Sequence, residues 1–460
     1  MRRAAQLVTA VVIGSATTAL AQNTQQSVFD RLDTNRDGWL SAEELAATPR
    51  AAGDDLFKNL DRDSDGFVSR AEFDAFAARR GQLSAQPARE LRVALPKLRE
   101  PEVSEGTPAE IARYRDAAAY SAANGGLVLL VMKEGRAVFE QHIEGSTPEK
   151  AYQIASGTKS FWGPLAAVAI QDGLFSLDEL VADTLTEWKT DPRKSRMTVR
   201  DMLTFSSGLE SPRRLWAERD KNLYTLALGL AAVEEPGKRF TYSEVHLYAF
   251  GEFLNRKLAA RAAKIGPGTP ETAHEYLERT LLKPVGIAGG RWHKDATGQP
   301  AMGDGAVLTA RQWAAWGELI RNRGKHGDTQ LIPADGLAKC FESSTANAAY
   351  GMTWWLNKPS NADLASMADR AGERRRRSSD QVSERGIVSG RLPDLVMAAG
   401  AGQQRLYVLP SEELVIVRFA NADMPAAVMR GEYNRLNLNF KDEEFFTRLL
   451  APAGTERTPK

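Results

Sequence analysis

"YQIASGTKSF", residues 152–161, sets Ser156 and Lys159 three positions apart where a short apolar lead-in gives way to a helical pattern. Two readings of it are open. A serine at such a boundary commonly caps a helix, its oxygen accepting an N–H of the first turn. The same serine can be a nucleophile, because a three-residue step along a helix returns to one face and would bring the Lys159 amine to its hydroxyl. A serine oxygen attacks poorly until a neighbour takes its proton, and a desolvated lysine can do so. A helix N-terminus adds N–H groups and partial positive charge for an oxyanion. The S-x-x-K spacing alone does not choose between them.

Outward from this stretch the chain has strands at its two ends and helices between. "GGLVLLVMKEGRAVFEQHI" (125–143) reads as a hairpin with its turn at Lys133-Glu134-Gly135 and a first strand, Leu127 to Met132, buried on both faces. "LVMAAG" (395–400), "QQRLYVLP" (403–410) and "ELVIVRFA" (413–420) repeat the pattern, with Pro410-Ser411-Glu412 as a turn. Helices are expected from Phe161 to Asp172, Val199 to Thr204, Val245 to Leu258, and Ala310 to Asn322 after a Thr309 cap. Pro164 is expected to kink the first of these. An antiparallel sheet drawn from both chain ends with a helical insertion is an α+β arrangement, with a cleft between sheet and insertion. The basic block Arg374 to Arg377, inside the polar stretch 368–391, reads as a mobile surface loop.

The 460 residues suffice for two or three domains, and 60 Lys+Arg against 59 Asp+Glu leave no global field to favour nucleic acid or an anionic membrane. Arg2 and Arg3, the apolar stretch Leu7 to Ile13, and Ala19-Leu20-Ala21 before Gln22 read as a cleaved export signal over 1–21. A stable membrane span is not expected, since Thr9, Ser15, Thr17 and Thr18 interrupt the run. The protein is therefore expected to be periplasmic or secreted. The single cysteine, Cys340, excludes an intrachain disulfide and a cysteine zinc cage, and it reads as a buried apolar residue.

Two twelve-residue stretches, "DTNRDGWLSAEE" (33–44) and "DRDSDGFVSRAE" (61–72), carry oxygen ligands at the spacing that calcium takes. In the first, Asp33, Asn35, Asp37, the Trp39 carbonyl, Ser41 (through water) and Glu44 are candidate ligands, with Gly38 at the sharp turn. In the second the same places hold Asp61, Asp63, Asp65, the Phe67 carbonyl, Ser69 and Glu72, with Gly66 at the turn. Leu40 and Val68 hold the eighth place of each loop, where the loops of an EF-hand pair lie side by side as a short ribbon. A glutamate closing each loop and apolar entering helices favour an EF-hand pair over a dockerin, leaving a structural module or a protein-docking module as its use. Two bound calcium ions are expected, and catalysis is expected to need no cofactor. From 81 to 108 the chain is polar and proline-punctuated, as a linker is.

"ASGTKSF" (155–161), "QDGLFSLDELV" (171–181), "MTVRDMLTFSSGL" (197–209) and "FTYSEVHLYAFGEFL" (240–254) follow in order, with "GDGAVLTARQWAAWGELI" (303–320) and "AAGAGQQRLYVLP" (398–410) beyond them. Together they resemble the serine β-lactamase-like hydrolases, the superfamily of class C β-lactamases, penicillin-binding proteins and esterases, over roughly 110–450. The resemblance implies the β-lactamase/transpeptidase-like fold over 109–455, after an EF-hand pair at 22–80. It implies Ser156 as acyl-forming nucleophile, Lys159 as the lysine of S-x-x-K, and Tyr242 as the tyrosine of Y-x-N. Free lysine and tyrosine titrate near pH 10, about three units too high for a base at neutral pH, so burial together with one shared proton is required. The Ser156 N–H is one oxyanion donor, and the resemblance puts the second on the main chain of Gly400-Ala401-Gly402, at Ala401.

Two departures bear on substrate. Glu244 stands where the family has the amide of Y-x-N, and Gly400-Ala401-Gly402 replaces K-T-G, removing a cation near the substrate carboxylate. Both favour a neutral or cationic ester or amide, as in the esterase and nylon-oligomer hydrolase branches, with Glu244, Gly400 and Gly402 lining the substrate. The five histidines show neither zinc-ligand spacing nor a G-x-S-x-G partner. Two other readings stand beside the hydrolase: a catalytically degenerate binding protein docked through its calcium module, and an enzyme directed at cell-wall peptides or β-lactams.

Overall fold

The computed structural model describes residues 39–40, 60, 68–69, 72–73, 98–212, 215, 218–265, 270–287, 291–361, 386–421 and 437–450. The chain divides into two compact units, 1–94 and 95–460. In the first, β1 (Trp39–Leu40) and β2 (Val68–Ser69) pair antiparallel with Leu40 opposite Val68, the ribbon expected of two adjoining loops. Among this unit's described residues, Leu40, Val68 and the helical residue Leu60 are buried. The export segment, the Arg374–Arg377 block and the calcium ligands other than Trp39, Ser69 and Glu72 lie outside the described residues.

The second unit opens with β3 (Val103–Ser104), inside the stretch expected as a linker. Its two residues, just past Pro101, pair with the edge of the sheet, too short a strand to leave a periodic signal. Helix α1 (Pro108–Ala123) follows a Thr107–Glu110 capping box. The expected hairpin is β4 (Gly126–Lys133) and β5 (Arg136–His142), and β6 (Tyr152–Gln153) leads to Ser156. Then come α2 (Trp162–Gln171), α3 (Val199–Leu203), α4 (Leu223–Gly229), α5 (Val245–Ile265) and α6 (Ala273–Leu277). After β7 (Arg291–Trp292) and β8 (Ala306–Leu308), α7 (Ala310–Arg321) starts from a Thr309 capping box. Strands β9 (Lys325–His326) and β10 (Thr329–Gln330) form a ribbon, and α8 (Ala334–Lys339) precedes β11 (Trp355–Leu356). The C-terminal strands are β12 (Val396–Gly400), β13 (Gln404–Leu409) and β14 (Leu414–Ala420), and α9 (Asp442–Leu449) ends the described chain.

The main sheet runs β11-β12-β13-β14-β4-β5-β3, every pair antiparallel, so β14 against β4 joins the two ends of the chain. Its residues alternate between two helical layers. Leu406 and Val415 face α7, where a side chain on Gly317 would collide with both, while Tyr407 packs on Phe445 and Phe446 of α9. Arg418 is fully buried and donates from Nη2 to the Asn124 carbonyl (2.7 Å) and from Nη1 to the Gln403 carbonyl (2.7 Å). It thereby ties the end of α1 to the β12–β13 turn, and Asn421 Nδ2 donates to Gly402 O (3.1 Å) in the same turn. No helix among the described residues is long and apolar enough to cross a membrane.

The small sheet β6-β8-β7 fixes the Ser156 segment from its other side: Tyr152 pairs with Leu308, and the Ile154 N–H donates to Ala306 O (3.0 Å). Beyond it, Ala155–Phe161 is a 3₁₀ helix and only Trp162–Gln171 is α-helical. Pro164 sits in the first α-turn, where its missing N–H is not needed, and the Ser160 carbonyl it leaves free accepts from Trp354 Nε1 (3.0 Å). The proline therefore marks a change of helix type instead of kinking a continuous helix. Helix α5 runs to Ile265, seven residues past the expected end, because Ala259–Lys264 keeps strong helix formers without a stop signal.

Strand β12 ends directly on this segment. A Cβ placed on Gly400 would stand 2.0 Å from the Ile154 carbonyl oxygen, well inside contact distance. Gly400→Ala is expected to cost about 1–3 kcal/mol of stability, the range for overpacking a fixed site, read as a lower urea midpoint. An unchanged midpoint would mean that the strand end is free to shift.

Candidate active site

The 3₁₀ geometry settles how Ser156 and Lys159 meet. With three residues per turn, positions i and i+3 eclipse, so the spacing that is approximate on an α-helix is aligned here. Lys159 Nζ donates to Ser156 Oγ at 2.8 Å and to the Gly303 carbonyl at 2.8 Å. Ser156 is not the cap of the helix: the cap position is Ile154, which makes no side-chain cap bond. Ala155, just before it, holds a left-handed φ of 48°, a conformation an alanine adopts only where its surroundings impose it. Ser156 stays partly accessible while Lys159 is buried, only 4 % exposed.

Tyr242 arrives from the other side. Its ring centroid lies 5.2 Å from Lys159 Nζ, and the ring is stacked on Trp355 at 5.3 Å with Tyr350 edge-on at 5.9 Å. The structure thus brings together Ser156, Lys159 and Tyr242, the first and last of them 86 positions apart in sequence. Gly400 abuts Ile154, and Ala401 is exposed in the turn that follows, with Gly402 buried behind it.

Glu244 stands at the start of α5, its carbonyl accepting from the N–H groups of Leu247 (3.0 Å) and Tyr248 (3.1 Å). Its side chain packs on Gly303, where an added Cβ would lie 2.6 Å from both Glu244 Cβ and Oε2. The carboxylate therefore borders the same residue whose carbonyl holds Lys159. Next in sequence, Asp304 pairs with Arg219 (2.5 Å), and its carbonyl accepts from Gln153 Nε2 (3.0 Å).

Sequence patterns did not single out Gly303 or His246. Gly303 acts through its backbone from 144 residues away, which no local motif records. His246 follows Tyr242 by four positions, and that helical spacing was its one signal. It is fully buried, with Nε2 2.8 Å from Thr241 O and Nδ1 2.8 Å from Ser207 Oγ. Burial pushes its pKa down to about 4, partly opposed by the Thr241 carbonyl. Cys340 is the buried apolar residue expected, its thiol pushed up by desolvation.

An unfolded histidine takes its proton near pH 6.5, whereas the folded His246 resists until about pH 4. The unfolded state binds more protons in that window, so stability present above pH 6.5 is lost as the pH falls to 4. Urea unfolding should show the wild type losing about 3 kcal/mol more than His246→Leu between those pH values. Parallel losses would remove His246 as the source.

Residues 111–439 match the Beta-lactamase family, and residues 25–47 and 54–77 match the EF hand. Among solved structures, a family VIII carboxylesterase superimposes with a TM-score of 0.53 at 15% identity, covering 78% of this chain and 99% of that one. The octameric penicillin-binding protein homologue from Pyrococcus abyssi gives a TM-score of 0.47 at 18% identity, covering 71% and 78%. The front of the chain is 39% identical over 62 residues to the calcium-binding allergen Ole e 8 of Olea europaea, covering 12% of this chain and spanning only 36% of that protein's length. A Ser-x-x-Lys pair in hydrogen-bond contact at the edge of an antiparallel sheet, within a match that covers most of the second unit, leads to one conclusion: the chain belongs to the beta-lactamase family.

Proposed function

We propose that this protein is an exported serine hydrolase that cleaves a neutral or cationic ester or amide through an acyl-enzyme on Ser156. The observation that carries the reading is the 2.8 Å contact between a buried lysine amine and an accessible serine hydroxyl. Burial strips water from the amine, and its acceptors are Ser156 Oγ and one backbone carbonyl. Ser156 Oγ bonds to the substrate carbonyl carbon as its proton passes to the Lys159–Tyr242 pair. The tetrahedral intermediate then breaks its bond to the alkoxide or amine, which leaves with that proton. Water repeats the sequence on the acyl-enzyme, releasing the acid and restoring the Ser156 hydroxyl. The Ser156 N–H and the main chain at Ala401 are the oxyanion donors in this reading, held in place by the contact of Gly400 on Ile154.

The substrate preference rests on Glu244 beside Gly303 and on the side-chain-poor Gly400-Ala401-Gly402. Neither offers a cation to a substrate carboxylate. The N-terminal loops would hold two calcium ions through Asp33, Asn35, Asp37, Trp39 O, Ser41 and Glu44, and through Asp61, Asp63, Asp65, Phe67 O, Ser69 and Glu72. This donor set is all oxygen, as calcium requires, and the eighth residues of the two stretches, Leu40 and Val68, pair antiparallel. Export rests on the pattern of residues 1–21, and a protein-docking role for the loops remains a use compatible with them.

Labelling of the mature chain by a fluorophosphonate probe tests the catalytic reading. The wild type should label and Ser156→Ala should not, and Lys159→Ala should slow labelling by about 10² to 10⁴, the scale of a lost acid-base group. Equal labelling of Ser156→Ala would overturn it, and no labelling of the wild type would favour a binding protein. Isothermal titration of the same chain should find two calcium sites, both absent in the Asp33→Ala, Asp61→Ala double variant. One site, or none, in the wild type would contradict the metal assignment.

A further inference from the structure

Tyr242 can exchange a proton with Lys159 only if its phenol is held at a fixed height above the amine, and neither lies on the element that carries the other. Ring contacts alone do not set that height, because stacked rings slide easily. The backbone just before Tyr242 is tied at both of its polar groups. Thr241 N–H donates to the Phe205 carbonyl at 2.8 Å, and Thr241 O is met by His246 Nε2 at 2.8 Å.

A carbonyl oxygen only accepts, so Nε2 carries a proton. In the neutral ring Nδ1 then accepts, and the Ser207 hydroxyl, 2.8 Å away, is the donor to it. Ser207 Oγ also accepts from Leu209 N–H (3.3 Å), which anchors the serine to its own loop. The imidazole lies flat on Phe205, with centroids 5.0 Å apart and planes 14° from parallel. Phe205 adopts a left-handed φ of 59°, which a bulky residue tolerates only when its surroundings impose it, and its ring meets Tyr242 edge-on at 5.7 Å. Loop 205–209, Thr241 and the first turn of α5 thus close a ring of contacts around the residue preceding the phenol. Burial of the imidazole is the dominant influence on its protonation, and the neutral state this circuit needs is the one burial favours.

We propose that His246 is a positioning residue for Tyr242: by clamping Thr241 to Ser207 it fixes the phenol against Lys159. The inference rests on the reading of Tyr242 as part of the proton-carrying pair. Its signature is thermodynamic coupling, since a residue that acts only through Tyr242 has nothing left to position once the phenol hydroxyl is gone.

The experiment measures second-order labelling by a fluorophosphonate probe, on the full chain, for wild type, His246→Leu, Tyr242→Phe and the double variant. His246→Leu should slow labelling about 10-fold or more in the wild-type background and less than about 2-fold in the Tyr242→Phe background, a clear departure from additivity. His246→Gln, which keeps an N–H donor at the reach of Nε2, should recover most of the rate. Should His246→Leu fail to fold, Ser207→Ala replaces it in the same cycle, with a smaller slowing that again vanishes without the Tyr242 hydroxyl. Equal slowing in both backgrounds, or no rescue by glutamine, would overturn the inference while leaving the role of Tyr242 intact. Labelling of Tyr242→Phe at the wild-type rate would overturn the reading of Tyr242 and the inference with it, and the two failures are thereby told apart.

Discussion

A lysine amine buried to 4 % exposure is the constraint around which the second unit is arranged. Taken from water, the amine needs acceptors, and the structure supplies Ser156 Oγ from its own 3₁₀ turn and Gly303 O from a distant segment. The second acceptor depends on β6 pairing with β8, which draws 303–308 alongside the lead-in to Ser156. Trp162 Nε1 donating to Met302 O (2.7 Å) and Ala306 N–H donating to Thr158 Oγ1 (3.1 Å) close the same seam from the other side. The serine therefore borders a desolvated amine because β6 and β8, distant in sequence, are bonded through their backbones.

The same seam explains why glycines stand where they do. Gly400 lets β12 end against Ile154, and Gly303 lets Glu244 pack beside the carbonyl that receives Lys159. In each case a backbone must approach closer than a Cβ would allow. The buried Arg418 and the half-buried Asn421 then hold the carbonyls of Gln403 and Gly402, so the turn carrying Ala401 is fixed from beneath as well as from the strand. Small residues shape the site and larger ones brace it from behind.

Two side chains at the start of α5 reach different parts of the Ser156 surroundings. Glu244 packs on Gly303, and His246, two residues on, meets the Thr241 carbonyl just before Tyr242. The start of α5 therefore meets both the segment whose carbonyl receives Lys159 and the backbone that carries Tyr242. In the first unit, Leu40 and Val68, the eighth residue of each loop, are buried and pair antiparallel.

The sequence by itself determined the elements whose cause is local. Alternation of apolar residues placed the β4–β5 hairpin and the C-terminal strands, the Thr309 cap placed α7, and the spacing of oxygen-bearing residues marked the two loops. The motifs also named Ser156, Lys159 and Tyr242. Local patterns did not distinguish a 3₁₀ turn from an α-turn at Ser156, nor show what Pro164 does, because the choice rests on Trp354 reaching the Ser160 carbonyl from 194 residues away. They did not show β3, since a two-residue edge strand owes its conformation to its partner. Only the tertiary structure decided that Gly303 receives the lysine and that His246 clamps Thr241. Both are hydrogen bonds to backbone carbonyls, and a carbonyl is the same whatever residue carries it.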